Sequence, residues 1–195
     1  MTEKQNNMLE KILSWITNDK LRNVIKEEMH LLPDYFWTVA ASSSGKYHPS
    51  YCLGEGGLFR HVAAACVIAH EMFGTNGTLM FTDTEKDVVI ASLLLHDGYK
   101  HGIEDSGHTV HEHPKLMSEY IRKKYYREDE DCNYKEIVMA IVGCIESHMG
   151  QWTTSPYSEV VLLKPLWKLE RFVHYCDYLA SRKCIEVNLE EVFYE

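Results

Sequence analysis

Apolar residues recur along most of this chain at the spacing of helix faces. Met8, Leu9, Ile12, Leu13 and Ile16 share one face of an opening amphipathic helix that ends near Asn18. Leu21, Val24, Ile25 and Met29 line a second helix over 20–32, stopped before Pro33. Residues 34–41 read as a short third helix, and 42–57, with three serines, Gly45, Pro49, Gly54, Gly56 and Gly57, as a loop. In 58–73, Leu58, Val62, Ala65, Ile68, Ala69 and Met72 share a face that also carries His61. A turn-rich connection over 74–82 follows. Thr84 with Asp87 resembles a capping box, and 88–95 is apolar on every side, as expected of a central buried helix.

The second half continues in the same way. Residues 98–112 are polar and punctuated by glycine, and His113-Pro114 opens a helix that turns Leu116, Met117, Tyr120 and Ile121 inward. After a charged turn at 127–133, a helix over 134–149 directs Ile137, Ile141, Cys144 and Ile145 to the core. His148 extends that stripe, and Gly150 stops it. The last long helix, 165–182, presents Leu166, Leu169, Val173, Cys176 and Ala180, with Asp177 on the same buried face. The best strand signal, 160–163, is short and lies between loop and helix. The pattern predicts an all-α fold. No repeat or low-complexity linker divides it, so residues 1–195 read as one domain, with N-terminal helices over 1–45 and a helical core over 54–182.

Composition adds little until histidine is counted. A net charge of −9 without any basic run argues against duplex nucleic acid as a partner. Six cysteines without a CxxC pair read as reduced core thiols of a cytosolic protein. The opening MTEKQNNMLEK lacks the apolar core of a signal peptide, and no apolar run reaches the roughly 18 residues that span a bilayer. A cytoplasmic location and no membrane partner are therefore expected. The 11 histidines change the picture, because imidazole is the commonest metal ligand.

Their positions carry the argument. In LLLHDGYKH (93–101) an apolar helix ends on His96 and Asp97, two groups that are costly to bury without partners. A metal ion satisfies an imidazole and a carboxylate together. His61, His148 and Asp177 lie on inward helix faces, and His113 stands at a helix start. A lone histidine on an apolar face is most often a packed core residue. Five helices each offering imidazole or carboxylate to the core is a different matter, since every unpaired group would cost several kcal/mol. No HExxH, GxxxxGK[ST] or GxSxG motif is present, and the Glu-x-x-His pairs of di-iron carboxylate bundles are missing.

The ordered series His61, His96-Asp97, His113, His148, Asp177 resembles the HD-domain family of metal-dependent phosphohydrolases. GEGGLFRH is similar to that family's Gly-Gly-Leu-x-x-His helix start, LLLHDGYK to its apolar-HD-x-x-Lys core, and VHYCDYLASR to its closing aspartate helix. HEHP and SHMGQ resemble the extra ligands of the dinuclear branch. The likeness runs from about Gly54 to Arg182. It implies an HD-type helical bundle, two divalent transition-metal ions, and a metal-bound hydroxide attacking a phosphate ester of a nucleotide or short oligonucleotide. On that reading Asp97 bridges the ions, with His61, His96 and Asp177 completing one site and His113 and His148 the other. Thiolate-free ligation of this kind suits iron, manganese, zinc or cobalt.

Other residues have lesser parts. Lys100 is placed to neutralise a phosphoryl oxygen, and His48, in KYHP, to reach the site mouth as a substrate contact, although a plain loop histidine is the commoner case. His111 rivals His113 as ligand, His101 and His108 are outer-sphere or surface groups, and His174 either orients Asp177 or packs in the core. Where the family form carries isoleucine or leucine after the aspartate, this chain has Gly98. Specificity is expected from the loops 42–57, 98–112 and 150–164, whose Tyr47, Tyr51, Tyr99, Trp152 and Tyr157 either stack on a base or cap the core. Two other classes compete: a dinuclear-iron oxygenase on the same fold, and a metal-bound regulatory or binding module without catalysis.

Overall fold

A computed structural model describes residues 1–42, 45–75 and 80–194. Residues 43–44 of the expected 42–57 loop and 76–79 of the expected 74–82 connection lie outside them. Among the described residues the fold is all-α, built from α1 (Glu3–Leu13), α2 (Asp19–Leu31), α3 (Asp34–Thr38), α4 (Gly57–Phe73), α5 (Asp83–Leu95), α6 (His113–Tyr125), α7 (Cys132–Ser147), α8 (Lys168–Ala180) and α9 (Leu189–Tyr194). A 3-10 turn, Ser50–Cys52, interrupts the loop before α4.

The central helix is α5. Its segment from Asp87 to Leu95 is buried on every side, as a helix without a polar face must be. Helices α4, α7 and α8 pack around it, α6 lies against α7, and α2 covers its outer flank. Thr82 caps its start, with Glu85 returning the bond in a capping box two residues earlier than Thr84 and Asp87 suggested. Asp87 has a different duty. Its carboxylate accepts the Thr17 and Asn18 backbone N–H groups at 2.8 and 2.9 Å and the Thr17 hydroxyl at 3.0 Å, tying the α1–α2 corner to α5.

Two sequence expectations need correction, and the weak strand signal at 160–163 comes to nothing, as the all-α pattern implied. The last long helix begins at Lys168 rather than 165, because the Glu170 carboxylate accepts the Leu166 and Trp167 backbone N–H groups and sets the helix start there. Leu166, expected inward, therefore precedes the helix and is two-thirds exposed. Residues 160–163 form no strand; Leu162 donates its N–H to the Thr153 carbonyl within an irregular loop. The chain's end adds the short α9, held to α1 by the Lys4–Glu190 ion pair and by the Tyr194 hydroxyl on the Lys4 carbonyl.

Gly98 is explained by packing. A Cβ built there would lie 2.8 Å from Leu32 Cδ2, 3.1 Å from the Leu95 carbonyl oxygen and 3.3 Å from Met117 Sδ. The turn after His96-Asp97 thus runs close between the end of α2 and α6, where even a methyl group would crowd its neighbours. Beyond it, the Tyr35 hydroxyl donates to the Gly102 carbonyl at 2.6 Å and stacks its ring on His101, which pins the 98–112 loop to α3.

Candidate metal centre

The C-terminal ends of α5 and α7 both terminate on histidine. Helix ends leave carbonyls without intrahelical donors, and here an imidazole supplies them: His96 Nδ1 donates to Leu93 O and His148 Nδ1 to Ile145 O, each at 2.7 Å. His113, the first residue of α6, does the same to Val110 O at 2.7 Å. A carbonyl oxygen can only accept, so each Nδ1 carries a hydrogen, and in the neutral ring each Nε2 presents a lone pair. The tautomer of all three rings is set by backbone three residues upstream.

Those lone pairs converge on two carboxylates. Asp97 Oδ1 lies 3.1 Å from His113 Nε2 and 3.7 Å from His148 Nε2, while its Oδ2 lies 3.6 Å from His96 Nε2 and 3.8 Å from His61 Nε2. Asp177 Oδ1 lies 2.9 Å from His61 Nε2 and 3.6 Å from His96 Nε2. Donor atoms that share an ion with bond lengths of about 2.1 Å stand roughly 3.0 to 3.4 Å apart, the edges of an octahedron or tetrahedron. The observed spacings bracket that range. Three overlapping sets, His61-His96-Asp97, His96-His148-Asp177 and Asp97-His113-His148, have their donor atoms within 4.8 Å of one another.

Two further observations fit a cation at the cluster. Among the described residues, three buried side-chain nitrogens lack a hydrogen-bond partner: His96 Nε2, which belongs to the donor set, and Nδ1 of His61 and of its neighbour His48, which do not face the carboxylates. In addition, His113 Nε2 and His148 Nε2 face each other at 3.2 Å, although both are lone-pair nitrogens in the tautomers their carbonyls impose. A positive charge between them removes that repulsion. The buried His and Asp groups can therefore hold a metal ion.

The electrostatics agree. Burial works against ionising Asp97, yet Lys100, His96 and His113 hold it well below the usual carboxylate range; Asp177 is held down against the same burial by His61 and His96. Burial, then repulsion from His96 and His113, pushes His148 down to about 3, so it is neutral with its lone pair free. His96 is also penalised by burial, but the carboxylates of Asp97 and Asp177 raise it overall.

All six proposed ligands, His61, His96, Asp97, His113, His148 and Asp177, are thus brought together, and Asp177 is the most exposed of their side chains, at 18 %. Lys100 Nζ sits 2.5 Å from Asp97 Oδ2 on the outer side. The ring of His48 meets His61 edge-on at 5.9 Å, its pKa lowered to about 4 chiefly by burial. The rival His111 lies outside the cluster, with Nε2 3.1 Å from Val160 O. His101 pairs with Asp105, and His108 is exposed. His174 does not orient Asp177; its Nδ1 donates to His148 O at 2.7 Å and so holds the turn that carries His148. Gly150 permits this contact, since a Cβ there would fall 2.1 Å from the His174 ring. The sequence signal for this support was available in Gly150 itself, as a helix stop with φ +63°.

No helix among the described residues is long and apolar enough to cross a membrane. No family model matches the chain, and no curated protein or solved structure matches it.

Proposed function

We propose that this chain is a metal-dependent phosphohydrolase of the HD-domain kind, cleaving a phosphate ester of a nucleotide or short oligonucleotide with two divalent transition-metal ions at the centre. The observation that carries the reading is the convergence of three tautomer-locked Nε2 lone pairs and two ionised carboxylates on one buried point. Support also comes from the ordered His…His-Asp…His…His…Asp series in the chain.

When bound, a divalent metal would lower the pKa of a coordinated water towards about 7 and polarise a phosphoryl oxygen. The chain's own residues do the rest. Asp97 directs Oδ1 to His113 and His148 and Oδ2 to His61 and His96, so its two oxygens serve two halves of the site. His61, His96 and Asp177 make up one half, His113 and His148 the other. Lys100, one-eighth exposed and paired with Asp97, takes a phosphoryl oxygen as charge builds on it. His48, beyond His61, contacts the substrate at the rim. Burial of the remaining ligands excludes bulk water and strengthens each of these interactions.

The test is metal analysis of protein purified without chelators, paired with a screen of nucleotides, cyclic dinucleotides and short oligomers. Wild-type protein is expected to carry metal and release phosphate or nucleoside, and Asp97→Ala to lose both to background. Full hydrolysis by metal-free Asp97→Ala would overturn the reading. Oxygen uptake with a polyol or phosphonate, without ester cleavage, would replace it with an oxygenase.

A further inference from the structure

A ladder of planar groups runs through residues adjoining His48 and Asp177. Tyr47 lies over the Arg182 guanidinium at 5.7 Å, and Arg182 over the Tyr178 ring at 4.5 Å. Tyr178 in turn stacks on Trp152, with centroids 5.8 Å apart and planes 23° from parallel. Both ends connect to candidate ligands. Tyr47 precedes His48, whose ring packs on His61; Trp152 packs on His174, which holds His148 O. Tyr178 follows Asp177, the most exposed group of the cluster.

Three features make this more than a cap on the core. Tyr47 and Trp152 are each about half exposed, at 56 % and 46 %, so the ladder leaves aromatic surface within reach of a ligand. By contrast, Tyr99 is buried, and Tyr51 is tied to Ala180 O through its hydroxyl. Arg182 makes no ion pair among the described residues, donating only to the Ser181 hydroxyl, in a chain with 29 acidic residues. An arginine kept free of carboxylates and sandwiched by tyrosines is a preset, weakly hydrated cation.

We infer that Tyr47, Arg182, Tyr178 and Trp152 form a specificity subsite that binds the planar base of an anionic substrate whose phosphate sits at the metal centre. The inference rests on the proposed function for the position of that phosphate. Trp152, backed by Tyr178, supplies stacking, which is tolerant of base identity. Arg182 supplies the positive charge that draws the anion to the rim. Sugar phosphates and polyols, which lack a planar group, gain nothing from this surface.

The experiment is calorimetric titration of the metal-loaded protein with two non-hydrolysable probes: the 5′-methylenephosphonate analogue of adenosine monophosphate, and methylphosphonate, which keeps the anionic head without a base. Trp152→Ala is expected to weaken the adenosine probe by roughly fivefold or more, with methylphosphonate affinity and metal content unchanged and with recovery in Trp152→Phe. Arg182→Gln is expected to weaken the adenosine probe and flatten its salt dependence. Equal affinity of wild type and Trp152→Ala for the adenosine probe would overturn the subsite. So would a joint loss of both probes and metal, which would mark Trp152 as a support of His174 only. Base-dependent binding without any ester hydrolysis would strike the hydrolase reading and leave the subsite standing.

Discussion

At the scale of single residues, the two glycines that flank the centre differ in what they tolerate. Alanine at position 98 meets the movable end of Leu32, but also the Leu95 carbonyl at 3.1 Å and Met117 Sδ at 3.3 Å. Gly98→Ala should destabilise the chain by about 1–3 kcal/mol, as overpacking does, and leave metal content near normal. Gly150→Ala should do more harm. Its Cβ would overlap the His174 ring at 2.1 Å, and φ +63° strains any L side chain. His174 must then leave His148 O, so urea midpoint and metal content are expected to fall together. His48 adds a pH effect in the metal-free chain. Burial pushes its folded pKa down to about 4 from 6.5, so between those values the unfolded chain binds the proton and the native one does not. Stability is therefore lost as pH falls through that window, and the urea midpoint of wild type should drop more between pH 7 and 5 than that of His48→Gln. What was legible at this scale was the set of groups, because each His or Asp stood where a core residue belonged. Their support was not. The preference for His113 over His111 followed from Pro114, but the carbonyls of Leu93, Val110 and Ile145 that fix the tautomers are visible only once the helix ends have coordinates.

At the scale of elements, helix existence was readable from periodicity, and helix boundaries followed side chains that reach back along the chain. Thr82 and Glu85 cap α5, whereas Thr84 and Asp87 share the same spacing two residues later. Glu170 likewise shortens α8 by capturing the N–H groups of Leu166 and Trp167. Asp87 was misread because its partners are some 70 residues away, and no local pattern encodes a tertiary cap. It accepts three bonds from Thr17 and Asn18 while 2 % exposed. Removing it takes a charged acceptor from the Thr17 and Asn18 N–H groups, which stand at an exposed corner and turn to water instead. Asp87→Ala should thus cost roughly 1–3 kcal/mol, with the loss of amide protection concentrated at Thr17 and Asn18. Ten residues of helix, about 15 Å, separate it from Asp97. Metal affinity should be unchanged, and the stability loss should add to that of metal removal rather than couple to it.

At the scale of the whole molecule, the donors come from five helices, α4 through α8 with their end turns, so a bound ion would tie the core together rather than brace one segment. The cysteines offer a direct readout. Cys132 and Cys184 are exposed, while Cys52, Cys66, Cys144 and Cys176 are buried free thiols. Burial raises the pKa of each buried one, to about 12 for Cys52 and Cys144 and well above the ordinary value for Cys66. A thiol reagent attacks the thiolate, so these four should react only when the core opens. Cys176 adjoins Asp177, and Cys66 lies one turn beyond His61 on α4. With reclosing fast relative to labelling, their rates report the population of the open form. An ion that binds only the closed form lowers that population by the factor 1 + [L]/Kd, about a hundredfold at 100 times Kd. Adding zinc or manganese to metal-free protein should slow Cys66 and Cys176 accordingly and leave Cys132 and Cys184 unchanged as internal controls. In Asp97→Ala the slowing should vanish. Equal labelling of Cys66 and Cys176 with and without metal in the wild-type chain would mean that no ion closes this core, whatever the chain hydrolyses.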